Sequence, residues 1–115
     1  MAASLPKSER LCGKIAIAGL MDHGKGGTAG CLRYKYLPSE GVTRILVSVP
    51  KRHFKRAVKR NLLKRRIRES YRLQKGLLSA PVDVMFVYLP REVLSFGDIY
   101  ASMTATLEAI AEKTV

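Results

Sequence analysis

The stretch that decides the reading is Lys51-Arg52-His53-Phe54-Lys55-Arg56-Ala57-Val58-Lys59-Arg60-Asn61-Leu62-Leu63-Lys64-Arg65-Arg66-Ile67-Arg68-Glu69-Ser70-Tyr71-Arg72. It holds eleven of the chain's 21 Lys and Arg and one acid, Glu69, so +10 of the formal +12 sits in 22 residues. Leu63, Ile67, Ser70, Tyr71 and Gln74 recur at spacings of three and four, which predicts a helix with one narrow apolar stripe against a core. On the helical wheel the opposite side carries Asn61, Arg65, Arg68 and Arg72. Arg60 and Lys64 flank one edge, and Lys59 and Arg66 the other. Phe54, Ala57 and Val58 fall off the stripe, so 51–56 is expected as a loop or a differently packed first turn. Gly76 is a natural stop, with Pro81 beyond it.

Eleven cations with one internal anion repel one another unless a counter-charge arrives. A solvated helix laced with salt bridges therefore fits badly. An interfacial membrane helix needs a broad apolar face, and this stripe is claimed by the core. A nucleic-acid backbone fits best, and long cations on most faces suit phosphate contact better than base reading. The candidate contacts are Arg52, Lys55, Arg56, Lys59, Arg60, Asn61, Lys64, Arg65, Arg68 and Arg72.

At 115 residues and 47% apolar content, with mean hydropathy near zero, the chain has room for one compact domain. No apolar run approaches the roughly 18 residues of a membrane span, and the N-terminal residues lack the apolar centre of a secretory signal. Two cysteines, Cys12 and Cys31, provide neither a disulfide framework nor a four-ligand zinc site and read as small packing residues. The expectation is a reduced, cytoplasmic, basic, single-domain protein over 1–115, ordered from about 5 to 112.

Residues 28–38 alternate as a strand, with Leu32, Tyr34 and Tyr36 on one side and Arg33, Lys35 and Leu37 on the other. Residues 43–50 form a second strand, and the Glu40-Gly41 turn makes the two an antiparallel hairpin. Residues 82–89 are nearly all apolar, as for a strand buried on both faces. Ser95 and Asp98 open a last helix whose stripe is Phe96, Ile99, Tyr100, Met103, Leu107 and Ile110. Gly19, Gly24 and Lys25 imitate a phosphate loop, but Gly26 stands where the magnesium-holding hydroxyl belongs. The stretch 12–27 therefore reads as a Gly-rich connector rather than a nucleotide site; the alternative for 8–21, and the preferred one, is a short helix starting at Ser8 with Leu11, Ile15 and Leu20 facing inward.

The offsets Ala57-Val58, Arg60-Asn61, Lys64-Arg65 and Arg68-Glu69 closely resemble the signature helix of the bacterial ribonuclease P protein component. The likeness runs from Leu5 to about Glu112, through Arg44 opening a strand, Ser48-Val49 with Lys51 closing it, and Asp83 starting another. It implies an α+β domain ordered α-β-β-β-α-β-α, with a four-stranded sheet and a left-handed β-α-β crossover carrying the basic helix (the fold of a ribosomal protein's second domain). Three strands are plain, so the remaining one is expected from dividing 28–50 differently or from the approach to Lys51.

The resemblance further implies that Arg60, Asn61, Lys64, Arg65 and Arg68 touch a catalytic RNA subunit. It implies that a cleft beside the first helix holds the single-stranded 5′ leader of precursor tRNA. Family members often carry aromatic residues on that helix, where this chain has Leu11 and Leu20, and a basic residue at the end of the last strand, here near Leu89 and Arg91. Leader contacts then fall to Arg33 and Lys35 for phosphates and to Tyr34 and Tyr36 for stacking, unless those rings belong to the core. The chemistry would be a magnesium-dependent phosphodiester hydrolysis by the RNA, with no catalytic residue, metal ligand, nucleotide or other cofactor on the protein. In agreement, the nine acids are scattered, and His53, in the basic lead-in, suits a phosphate neighbour better than a general base. A structural RNA-binding protein of ribosomal type, with the same helix and no leader cleft, is the competing reading.

Overall fold

In the computed structural model, residues 7–114 are described; the expected start of order at Leu5 lies outside them. A short 3-10 turn, Lys7–Glu9, precedes α1 (Lys14–His23), β1 (Lys25–Ala29), β2 (Leu32–Pro38), β3 (Arg44–Ser48), α2 (Ala57–Gln74), β4 (Val82–Tyr88) and α3 (Phe96–Thr114). This is the α-β-β-β-α-β-α order, and the sheet runs β1-β2-β4-β3.

The central position of β4 follows from its composition. Its run Val82-Asp83-Val84-Met85-Phe86-Val87-Tyr88 is nearly all apolar, and an interior place in the sheet leaves only Met85 and Val87 partly exposed. It pairs antiparallel with β2 and parallel with β3. The expected hairpin between 28–38 and 43–50 is therefore wrong: β4 lies between those two strands. Alternation tells which face a strand buries and not which neighbour it bonds.

β2's hairpin partner is instead β1, the Gly-rich stretch read as a connector, which supplies the fourth strand. Ala29 pairs with Leu32 across a two-residue Gly30-Cys31 loop. Gly30 has φ +57°, and a Cβ there would strike the Ser102 hydroxyl of α3. That hydroxyl accepts the Cys31 N–H at 3.0 Å and docks the loop on α3. At Gly27 a Cβ would run into the Tyr34 ring, so the missing side chain is what lets β1 lie against β2.

One sheet face packs Leu32, Tyr34, Tyr36, Val84, Phe86 and Tyr88 against Leu63, Ile67 and Tyr71 of α2 and Ile99, Met103, Leu107 and Ile110 of α3. All five residues of the expected α2 stripe are buried. Phe54 is buried too, reaching the core from the lead-in and meeting Tyr88 with ring centroids 5.9 Å apart. The Ser95 hydroxyl accepts the Asp98 N–H at 3.2 Å and starts α3 as expected.

Helix α1 begins six residues later than Ser8, because Gly13 at φ +98° cannot continue a right-handed helix. Leu20 is buried as expected, but Ile15 is 91% exposed and Leu11 lies ahead of α1. Leu11 instead donates its N–H to the Ile45 carbonyl at 2.8 Å, extending the β3 edge. Cys31 is buried, whereas Cys12 is exposed and is not a packing residue. Among the described residues no helix is long and apolar enough to cross a membrane.

Candidate nucleic-acid interface

Seating Leu63, Ile67 and Tyr71 inward fixes what the rest of α2 presents. Lys59, Asn61, Arg65 and Arg68 are exposed, and Lys64 is half-buried beside them. Arg52, Lys55 and Arg56, in the lead-in, are exposed as well. The sequence-derived set is therefore spread over the exposed sides of α2 and its approach, with two of its members tied down.

Arg60 turns back, donating to the carbonyls of Phe54 at 2.7 Å and Lys55 at 2.9 Å, and so fixes the lead-in. Arg72 forms a two-pronged pair with Glu69, with both N···O distances 2.7 Å. This pair holds the Glu69 carboxyl below its ordinary value. Outside the set, Arg66 is spent on the Leu94 carbonyl at 2.6 Å. Among the described residues the other ion pairs are Arg44–Asp83 and Lys75–Glu9, so Arg72 is the one α2 cation in a salt bridge.

Sequence reasoning missed Arg10. The residue before Leu11 bridges to Ile45 at the β3 edge and is exposed. Partial burial, together with repulsion from Arg10, lowers the pKa of Arg68. Two guanidiniums from distant parts of the chain are thus near enough to repel, and no local pattern could have signalled it.

The opposite sheet face is only partly covered. The pairings put Thr28, Arg33 and Val87 in one row across β1, β2 and β4, and Gly26, Lys35 and Met85 in the next. Met21 of α1 overhangs these rows, closing a groove of about 680 Å³. Arg33 is exposed in it, while the Lys35 ammonium donates to the Met21 carbonyl and ties the end of α1 to the sheet.

Tyr34 and Tyr36 require a correction. At 4% and 2% exposure they face α2 and α3, with their ring centroids 6.4 Å apart, and offer no open face for base stacking. Leu11 and Leu20 are buried as well, so the groove carries methionine and valine where aromatics were sought. Among the described residues no three His, Cys, Asp or Glu side chains form a group that could hold a metal ion.

A mixed four-stranded sheet with a cationic helix on one side and a groove on the other defines a polyanion-binding α+β module. Residues 5–111 match the family model of Ribonuclease P. The chain is 37% identical to the ribonuclease P protein component of Porphyromonas gingivalis, over 93% of this chain and 86% of that one. It is likewise 37% identical to that of Chlorobaculum tepidum, over 66% and 54%. In fold it is similar to the RNase P protein of Staphylococcus aureus, with TM-score 0.79 at 20% identity over 90% of this chain and 96% of that one. The RNase P protein of Thermotoga maritima gives 0.78 at 20% identity, over 88% and 96%. The chain belongs to the ribonuclease P protein family, whose members are RNA-binding protein subunits in tRNA processing.

Proposed function

We propose that the protein docks on the catalytic RNA subunit of ribonuclease P through Lys59, Asn61, Lys64, Arg65 and Arg68, with Arg52, Lys55 and Arg56 extending the contact. The groove under α1 takes the single-stranded 5′ leader of precursor tRNA, with Arg33 on its phosphates. Lys35 shapes that groove by holding α1, and Arg60 and Arg72 support the surface by fixing the lead-in and the end of α2. The RNA subunit performs the phosphodiester hydrolysis with its own magnesium, in the cytoplasm, and the protein binds no cofactor. Its work is electrostatic and positional: the cations offset phosphate repulsion, and the groove holds the leader in register with the RNA's metal ions.

The observation that carries this reading is that Asn61, Arg65 and Arg68 are exposed on the side of α2 turned away from its buried stripe. The test is reconstitution: the purified protein is added to the catalytic RNA at low magnesium, and cleavage of precursor tRNA is timed. The expected result is faster cleavage with the protein, and more so for a precursor carrying its leader. Cleavage no faster than with RNA alone would return the protein to the class of structural RNA binders.

A further inference from the structure

At the end of α2 away from its cationic lead-in, a concavity of about 410 Å³ opens between the segment that enters β3 and the one that enters β4. Val42 and Thr43 line one wall, Leu78, Ala80 and Pro81 the other, and Tyr71 the floor. The walls are tied to each other. The Ser39 N–H donates to the Pro81 carbonyl at 3.1 Å, and the Val82 N–H to the Thr43 hydroxyl at 3.2 Å. The Leu78 N–H donates to the Lys75 carbonyl at 3.2 Å and closes the turn that ends α2. Tyr71 is seated on Phe86, with ring centroids 6.2 Å apart.

Three features set this cavity apart from the cationic surface. First, its charge is balanced. The charged residues on its lining are Glu9 and Lys75, and the ammonium donates to the two carboxylate oxygens at 3.0 and 3.4 Å. The pair has spare capacity, since an ammonium has three protons and a carboxylate about four lone-pair sites. Second, Tyr71 is 1% exposed, yet nothing among the described residues hydrogen-bonds its hydroxyl. A buried tyrosine hydroxyl ordinarily has a partner. The fully enclosed side-chain atoms without one are Ser39 Oγ and His53 Nδ1, so the Tyr71 hydroxyl is reached from the cavity that it lines. Third, the walls are largely apolar, and Val42 is 52% exposed with nothing packed on it.

An anion gains little from a balanced site, and a purely apolar ligand would leave the polar groups of the cavity unpaired. A flat neutral ring with a hydrogen-bonding edge satisfies both walls and rim. Among the RNA bases, guanine alone presents a carbonyl, O6, beside two adjacent donors, N1–H and N2–H. That edge is the complement of an ammonium beside a carboxylate.

We propose that this concavity takes one unstacked guanine of an RNA, with Glu9 accepting from N1 and N2 and with Lys75 and the Tyr71 hydroxyl donating to O6. It rests on the RNA-binding reading above and deepens it, adding a base-reading site to a surface of backbone contacts. The site adjoins that surface. Arg10 follows Glu9 in the chain and is near enough to Arg68 to lower its pKa. Arg68 precedes Lys75 by two turns on the same side of α2, about 10 Å. An RNA strand with phosphates on Arg10 and Arg68 therefore passes the mouth of the cavity. Walls that are already tied together lose little entropy when the base enters.

The free protein is titrated with the single-stranded trinucleotides UGU, UAU, UCU and UUU at one salt concentration, while the signals of Val42, Thr43 and Ala80 are followed by NMR. All four carry the same phosphates, so a difference among them belongs to the base. UGU is expected to bind about tenfold more tightly than the others and to shift those signals saturably. Glu9→Gln should abolish the preference, through loss of a charge-assisted hydrogen bond. Tyr71→Phe should weaken UGU about fivefold and leave the other three unchanged. Both variants are checked by circular dichroism and are expected to fold, since the Glu9–Lys75 pair is partly exposed and the hydroxyl has no partner to lose among the described residues. Glu92→Gln, beyond the other end of β4, makes the same change of charge and should keep the preference. The source of the guanine is read from the affinity of Tyr71→Phe for the catalytic RNA and for precursor tRNA.

A guanine preference lost in Glu9→Gln, with weaker binding of either RNA by Tyr71→Phe, supports the pocket and assigns its partner. Equal binding of the four trinucleotides, a preference that survives both substitutions, or unchanged affinity for both RNAs overturns the proposal. Because the trinucleotide titration contains neither RNA, it separates failure of the pocket from failure of the ribonuclease P reading.

Discussion

The two faces of the sheet are built on different principles. On one, α2 and α3 press a continuous apolar layer onto β2 and β4, and Leu32, Leu63, Ile67, Val84, Phe86, Ile99 and Met103 are fully buried. On the other, α1 contributes one buried residue, Leu20, and is tied down by the Lys35 contact to Met21, leaving Arg33, Met85 and Val87 along a groove. The first face stabilises the fold and leaves Asn61, Arg65 and Arg68 of α2 turned to solvent. The second stays open, as a surface that must admit a ligand does.

Substitutions can break this contrast, and the largest effect belongs to the covered face. Ile67→Asp buries an uncompensated carboxylate among apolar side chains, at about 3–5 kcal/mol or more, a large share of the roughly 5–15 kcal/mol that holds a domain together. Loss of the cooperative thermal transition is the expected outcome, seen by circular dichroism. Arg65→Ala with Arg68→Ala, one helical turn outward, should leave that transition in place while weakening catalytic-RNA binding by roughly 10–100-fold at fixed salt. An unfolded double variant would show that α2 faces the other way.

Smaller changes sharpen the comparison. Tyr88→Phe keeps the ring against Phe54 but leaves the Leu94 N–H and Glu92 carbonyl without their partner, at about 1–3 kcal/mol, measurable by denaturant titration. Lys35→Met should cost the fold little, because its contact to Met21 is exposed. It should weaken leader-bearing precursor more than leaderless tRNA, as α1 loosens over the groove.

The last effect is a pH dependence, confined to alkaline solution. Burial, with Glu9 adding to it, pushes the Tyr71 hydroxyl up from 10.0 to about 12. The folded state thus keeps a proton that the unfolded chain releases, so this contribution is complete below pH 10 and is lost between pH 10 and 12. Tyr71→Phe should lose stability less steeply over that window than the parent protein.

The same contrast explains what the sequence showed. α2 was legible because a 3.6-residue stripe and a charge excess are local patterns, and each of Leu63, Ile67, Ser70, Tyr71 and Gln74 lies where the stripe puts it. α3 was legible for the same reason, with Ser95 marking its start. β1 was not: Lys25-Gly26-Gly27-Thr28-Ala29 has no apolar alternation, and it is a strand because missing side chains let it lie on Tyr34 while Gly30 turns into Ser102. The neighbours of β4 were hidden as well, since pairing is decided between segments far apart in the chain.

The candidate interface divides in the same way. Arg65 and Arg68 were readable from the wheel, whereas Arg10 comes near Arg68 only through tertiary placement. Tyr34 and Tyr36 looked equally suited to a groove or a core. Their alternation with Arg33 and Lys35 settles only that the two pairs face opposite ways, and α2 and α3 cover the tyrosines.

The central claim is that the outward cations of α2 meet phosphates of the catalytic RNA. It is tested most directly by the slope of log affinity against log salt for the parent protein and the Arg65→Ala, Arg68→Ala variant, each confirmed to be folded. Two lost phosphate contacts should make the variant's slope shallower by about 1.5, at roughly 0.7–0.9 per contact. Parallel lines, with the variant as salt-sensitive as the parent, would contradict it.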